Sequence, residues 1–396
     1  MLDLAKIAGQ LPALSNHLAT EATASQGRLI KAQELLRAAH DRQSALVEIQ
    51  KQWQSRLNFT AAIPIEPLLS QIDLPSPNPR HSVFATDGSQ IAPSHHEIAY
   101  CYLINIGRIM LHYDQNLLPL LDSIPEVFYK AEDLYISRQW GIRTDEWLGY
   151  CRTVSELTNL ADIACRWVEP PGAHQEPNAA LVDGSLIYWF LEGLPTEARD
   201  RILTPLLAAW EKLRQAHIPL VGYLSASRSG EATNFLRLQA YPYDSPECST
   251  HCSQEQTPDQ EEIEPMRDSL LWGSLLTPGQ RGPLFKSTSK ILELYGEEHK
   301  VYFCYVHVGA EIARLDFPAW VALDAELLEQ ALGIVLAQVQ KGYGYPVALA
   351  EAHNQAVVRS GDRARFFALL EQQMVKVGLK NVGVSYKESR KRGSIA

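Results

Sequence analysis

The 396-residue chain is poor in cysteine, with six in all, so it is not a disulfide-held scaffold. Cys101 and Cys304 stand in apolar, strand-like runs, and Cys151 and Cys165 in a helical pattern. All four are expected to be small buried hydrophobes. Cys248, His251 and Cys252 lie close together in a polar stretch, but no second pair stands at the spacing of a zinc ribbon. No apolar run reaches the ~18 residues of a membrane span. The N-terminus lacks the basic start, compact apolar stretch and small-residue cleavage site of a secretory leader, so the cytoplasm is the expected location. A G-x-x-x-x-G-K-[S/T] string is missing, which excludes the phosphate loop of an ATP-driven motor. G-x-S-x-G is missing too, and with it the nucleophile elbow of a serine hydrolase. Positive charge is also short, and the net charge is −10. Six acids and no Lys or Arg fall within 247–264, so much of that excess is local and leaves a polyanionic partner open.

What is present is ordinary globular material, 46% hydrophobic and 21% charged, enough for one large domain or two smaller ones. Residues 1–63 form a helical region. Leu29, Ile30, Leu35, Leu36, Leu46, Ile49, Trp53 and Leu57 recur mostly at spacings of three, four and seven. A Pro-rich connector follows over 64–80. From 81 to 377 the pattern is α/β. S-V-F-A-T-D-G-S-Q (82–90) predicts a strand running into a glycine turn. Residues 97–113 are expected as two strands broken at Gly107. A helix is predicted over about 144–167, then a buried strand ending in a second D-G-S, then a helix near 195–216 and a strand at 218–226. Residues 301–309 form a further strand that pairs with A-R-L-D-F-P, and helices fill about 323–341, 346–359 and 361–376. The acidic stretch 247–266 is expected to be a mobile loop, and 378–396 a loose basic tail.

Asp87 and Asp183 each follow an apolar strand and precede Gly-Ser. Carboxylates presented at the carboxyl edge of an α/β sheet, if their strands are neighbours, share one hard cation such as Mg²⁺ or Mn²⁺. Asp-Gly is also common turn chemistry, so one copy alone says little. The order is strand with acid, hairpin strands, helix, strand with acid. It predicts a ribonuclease H-like mixed sheet flanked by helices, with an N-terminal helical region. In that order Glu156 takes the helix acid, bordering the apolar stripe, while Asp162 points away. A surface pair with Arg152 one turn earlier is the plainer role for Glu156. Glu169 is the runner-up third acid, although Pro170 places it in a loop.

The sequence resembles the NurA nucleases. The resemblance rests on F-A-T-D-G-S-Q (84–90), R-T-V-S-E-L (152–157) before L-V-D-G-S-L (181–186), L-L-T-P-G-Q-R (275–281) and Y-P-V-A-L-A-E-A-H (345–353). It implies manganese-dependent cleavage of DNA, a dimer, a ring-shaped HerA-type ATPase as partner, and resection of DNA ends from the 5′ side in break repair. It also implies a metal site of Asp87, Glu156, Asp183 and His353. His353 is expected as ligand or proton shuttle, against the plainer role of a satisfied core histidine. Phosphate contacts are expected from Arg228, Arg281 and Lys286, and a base or phosphate contact from Tyr345. Each has a bland counterpart, a solvated charge or a helix-start packing residue. Two other readings stay open. One is a non-catalytic interaction protein that keeps a ribonuclease H-like core, and the other is an enzyme acting on RNA or branched DNA.

Overall fold

The computed structural model describes residues 3–95, 97–169, 174–240 and 266–379. Their contacts define two units, each drawn from two stretches of chain: Met1–Leu74 with Tyr223–Ala322, and Pro75–Gly222 with Leu323–Ala396. The α/β region 81–377 is thus divided between them. The zinc-like trio Cys248, His251 and Cys252, nearly all of the acidic stretch and nearly all of the basic tail lie outside the described residues.

The first unit opens with helices Leu4–Ala8 (α1), Leu11–Asp41 (α2) and Gln43–Trp53 (α3), as the spacing predicts. An apolar stripe must find an apolar partner. Ala32, Leu36 and Ala39 of α2 and Leu46 of α3 find theirs in a core with Phe235, Trp272, Phe285 and Phe303. The Pro-rich connector supplies two short strands, Ile63–Pro64 (β1) and Ile72–Asp73 (β2).

The second unit begins with strands His81–Ile91 (β3), Tyr102–Tyr113 (β4) and Leu120–Phe128 (β5), then helices Ala131–Tyr135 (α4) and Thr144–Val168 (α5). Strand Asn178–Asp183 (β6), helix Thr196–Gln215 (α6) and strand Leu220–Leu224 (β7) follow. The chain then returns to the first unit through helices Glu231–Ala240 (α7) and Asp268–Gly273 (α8). Strands Gln280–Arg281 (β8), Phe285–Lys286 (β9), Val301–His307 (β10) and Ile312–Pro318 (β11) and the short helix Ala319–Ala322 (α9) complete that unit. β10 pairs antiparallel with β8, β9 and β11, while β1 pairs with β9 and β2 with β8. Helices Ala325–Lys341 (α10), Val347–Ala356 (α11) and Ser360–Lys376 (α12) close the second unit.

The second unit carries the ribonuclease H-like order. Its strands run β5-β4-β3-β6, with β7 beyond β6. The β3–β4 and β4–β5 pairs are antiparallel and β3–β6 is parallel, so the sheet is mixed. Strand β6 follows the long helix α5, the crossover length that a parallel neighbour requires. Helix α5 starts with Asp145 and Glu146 in its first turn, which suits the positive end of the helix dipole. Its buried stripe includes Leu157, Leu160, Ala161 and Ala164, and it packs on β3, β4 and α6.

Three local expectations change. β4 runs unbroken through Gly107, and the hairpins lie on either side of it, with β3 and with β5. Asp87 sits inside β3 rather than at its end, because the strand continues through Gly88 to Ile91. β5 is a strand that sequence reasoning passed over. It carries Pro125, and an edge strand tolerates a residue without a backbone N–H.

A stacked trio sits beside β4. The His112 ring stacks on Trp167 with centroids 4.0 Å apart, and Trp167 stacks on His174 at 3.6 Å. Burial first, and the neighbouring His174 second, pull the His112 pKa down to about 4. An unfolded histidine titrates near ~6.5. As pH falls through the window from about 6.5 to about 4, the unfolded chain takes a proton that the folded chain refuses. Stability therefore drops across that window, and above it His112 contributes no slope. His112→Phe keeps a flat ring against Trp167 and should flatten the decline. The urea midpoint at pH 7 and at pH 4.5, with and without the substitution, checks this.

Candidate active site

Parallel register sets the first two acids. Ser82 lies opposite Asn178 and Ala85 opposite Leu181, where the pairing ends, and Asp87 and Asp183 each follow two residues beyond that last pair. Neighbouring strands stand ~4.8 Å apart, and level residues share a face. Burial raises the Asp183 pKa, and the nearby charge on Asp87 adds to the rise. Asp183 ends β6, and Gly184 turns the chain away with φ of 124°.

Glu156 arrives on α5 from the other side of β3. The Thr86 hydroxyl donates to the Glu156 backbone carbonyl at 2.8 Å and pins the helix at this level. The close approach explains Gly88. A Cβ there would stand 2.5 Å from Glu156 Oε1 and 2.6 Å from Arg152 Cγ. Burial drives the Glu156 pKa up to about 7; Arg152 opposes the rise, and Asp87 and Asp183 add to it. Carboxylates gathered this closely repel one another when ionised. Asp87, Glu156 and Asp183 line a cavity of about 430 Å³ with Arg152, Thr153, Tyr188 and Phe190.

His353 comes from α11. In the register of β3 and β4, Asp87 lies opposite Gly107. A Cβ on Gly107 would collide with the Ala352 carbonyl and lie 2.5 Å from Ala356 N, so α11 rests directly on the strand backbone there. Ser89 Oγ and Asn105 Nδ2 both donate to the Ala356 carbonyl, and buried Gln338 accepts the Ala348 N–H at 3.1 Å. Held at both ends, the helix brings His353 Nδ1 to 2.8 Å from Asp87 Oδ2. The His353 side chain is 66% exposed, so it is not a core histidine. Tyr345, just ahead of this helix, hydrogen-bonds Asp183 and partly offsets the rise in its pKa that burial causes.

The second unit therefore gathers Asp87, Glu156, Asp183, His353 and Tyr345, drawn from two strands, one helix, and α11 with the loop before it. The predicted Arg152–Glu156 pair also forms, at 3.2 Å, without removing Glu156 from the cavity. Asp162 points away as expected and pairs with Lys212 at 3.1 Å. Glu169 caps the far end of α5, roughly 20 Å along the helix axis from Glu156, and is no third acid for this site. Sequence reasoning missed the residues that position the site, namely Thr86, Ser89, Asn105 and Gln338. Their contacts join distant parts of the chain and leave no local signal.

The remaining expected DNA contacts lie in the first unit. Arg228 is exposed, in the loop after β7. Lys286 is half-buried, with its ammonium 5.8 Å from the Tyr302 ring centre, and burial followed by Lys300 lowers its pKa. Arg281 is engaged elsewhere. Its guanidinium donates twice to Glu66, at 2.6 and 2.8 Å, with only 9% of the side chain exposed. Glu66 also accepts the Leu284 N–H at 2.8 Å, so this arginine ties β8 to the Pro-rich stretch instead of offering donors to a phosphate. Arg281→Ala leaves a half-buried carboxylate unpaired and should cost about 3 kcal/mol of stability, as breaking one side of such a pair does. Chemical denaturation measures it, and an unchanged midpoint contradicts the assignment.

The donor chemistry fits a divalent cation. Carboxylate oxygens suit Mg²⁺ and Mn²⁺, and their mutual repulsion is what such an ion relieves. In their present rotamers, no three acids, histidines or cysteines among the described residues converge to hold an ion. Asp87 is turned to His353 and Glu156 to Arg152.

Fold and site together define a ribonuclease H-like protein with an acidic cluster at the carboxyl edge of its sheet. The NurA domain model matches residues 81–358, and the chain belongs to the NurA family. The structure is similar to the crystal structure of the NurA nuclease from Sulfolobus solfataricus, with a TM-score of 0.51 and 13% identity over 95% of this chain and 98% of that one. No curated protein sequence matches the chain.

Proposed function

We propose that this chain is a divalent-metal-dependent nuclease that hydrolyses phosphodiester bonds in DNA. The observation that supports this reading is one cavity lined by Asp87, Glu156 and Asp183, the two aspartates following the paired stretch of the parallel neighbours β3 and β6. Asp87, Glu156 and Asp183 are the residues to hold the ion, with His353 beside them. A bound Mn²⁺ or Mg²⁺ supplies positive charge against the phosphate and a more acidic water. His353 keeps Nε2 free of the Asp87 contact, which suits it to bind the ion or to exchange a proton with the reacting groups. Tyr345 holds Asp183 in place through its hydrogen bond. Arg228 and Lys286 serve the DNA backbone.

The family resemblance supports the finer reading. The enzyme resects DNA ends in the 5′ to 3′ direction, cuts single strands internally, and works in double-strand break repair as a homodimer in the cytoplasm with a HerA-type hexameric ATPase. Among the described residues no helix is long and apolar enough to cross a membrane.

The test is digestion of end-labelled single- and double-stranded DNA with Mn²⁺, with EDTA and with an RNA control. Shortened DNA with Mn²⁺ and intact DNA with EDTA are expected. Equal cutting of RNA favours the alternative of a ribonuclease H-like enzyme with another substrate. No cutting at all favours a non-catalytic scaffold.

A further inference from the structure

The cavity that holds the acids has one basic residue in its lining, Arg152, among Asp87, Glu156 and Asp183. A site for a polyanion built of carboxylates repels its own substrate unless a cation faces it. Arg152 stands one helical turn before Glu156, and its stem occupies the space left by Gly88, where a Cβ would meet Arg152 Cγ at 2.6 Å and Cδ at 2.9 Å. The stem is therefore held, while the side chain keeps 36% of its surface exposed. Its pairing is incomplete. Nε lies 3.2 Å from Glu156 Oε1, yet this buried N–H is aligned with no hydrogen-bond acceptor. Other arginines of the second unit close a proper fork. Arg108 donates twice to Asp122, at 2.9 and 2.6 Å, and Arg143 twice to Asp145, at 3.2 and 2.5 Å. A guanidinium offers five donors in a plane that matches phosphate oxygens, and Arg152 leaves that capacity unspent.

We propose that Arg152 is the phosphate-docking residue of this site, its guanidinium moving from Glu156 to the two non-bridging oxygens of the phosphodiester beside the bond to be cut. This rests on the nuclease reading, because the ligand is the phosphate of a polynucleotide. The move also frees Glu156 for a cation, so docking and ion binding favour each other.

The test measures binding apart from cleavage. A fluorescein-labelled single-stranded oligonucleotide is titrated with the full chain in EDTA across a salt series, for wild type, R152K and R152Q. R152Q should weaken binding about tenfold and lower the slope of log Kd against log salt by ~0.7, one single-strand counterion. R152K should keep the slope and recover part of the affinity, because a point charge replaces the fork. Calorimetric titration of the DNA-free protein with Mn²⁺ should show tighter binding in R152Q. If R152Q binds DNA with wild-type affinity and slope and loses only melting temperature, Arg152 is a structural pair and the proposal falls. Should R152Q not fold, a wild-type affinity in R152K overturns it equally, because a bidentate contact does not survive that change. Digestion of DNA by the wild type with Mn²⁺, run alongside, separates the two readings. Loss of slope without any wild-type cutting removes the nuclease reading and leaves phosphate docking standing.

Discussion

Asp87→Asn and Asp183→Asn should each abolish DNA cleavage, by a factor on the order of 10³ or more, and the double substitution should be no worse than either alone. Residues that act as one unit lose their function together, and the losses do not add. Asp87 and Asp183 each lie two residues beyond the last pair of adjacent parallel strands and line one cavity. Either substitution would take away a carboxylate that would hold the ion, while asparagine keeps the shape. The fold should tolerate the change. Asp183 is held above its usual carboxylate pKa by burial and by Asp87, so removing one of these charges relieves repulsion in the ion-free protein. The expected pattern is lost turnover with an unchanged or raised melting temperature. Wild-type turnover by Asp87→Asn with Mn²⁺ would dissolve the site as described.

Gly107→Ala should damage the fold as well as the site, through one methyl group. The new carbon would collide with the backbone of α11 at Ala352 and Ala356, which has no flexible end to move aside. Overpacking of this kind costs about 1–3 kcal/mol. The helix must lift, and His353 then leaves Asp87, since their 2.8 Å contact depends on where α11 lies. Activity should fall at least about tenfold, because a catalytic group displaced by ~1 Å loses far more than binding. Gly107→Ser tests the cause and should behave like alanine, whereas Ala350→Ser on the same helix should do little. A Gly107→Ala protein with wild-type stability and turnover would mean that the helix does not rest on the strand.

Most long elements were legible because their period is local. The helices α5, α6, α10 and α12 and the strands β6, β10 and β11 fall within a few residues of the spans predicted from spacing and β-forming residues. Two of the misreadings share one cause. Gly107 and Gly88 look like chain breaks, yet both lie inside strands, where a helix from elsewhere in the sequence comes too close for a side chain. Glycine serves both purposes, and neighbouring residues do not say which. β5 hides behind Pro125, which is excluded only from an interior strand.

The site divides along the same line. Asp87 and Asp183 stand out as acids beside Gly-Ser after apolar runs, and Glu156 borders an apolar helical stripe, so residue type and period were enough to nominate them. His353 and Tyr345 came from a family motif. For Arg281 the chemistry permitted a phosphate contact, and a carboxylate from the Pro-rich stretch took it instead.

Residue order alone established the α/β character, the chain order of strands and helices, and which acids were candidates. Periodicity and turn chemistry are written locally, within a turn or a pleat of each residue. Packing decided the rest: that β3 and β6 are parallel neighbours whose last pair precedes two aspartates, that α11 lies across Gly107, and that the N-terminal helices join the same unit as residues 223–322. These are agreements between surfaces tens to hundreds of residues apart, and no short window of sequence contains both partners.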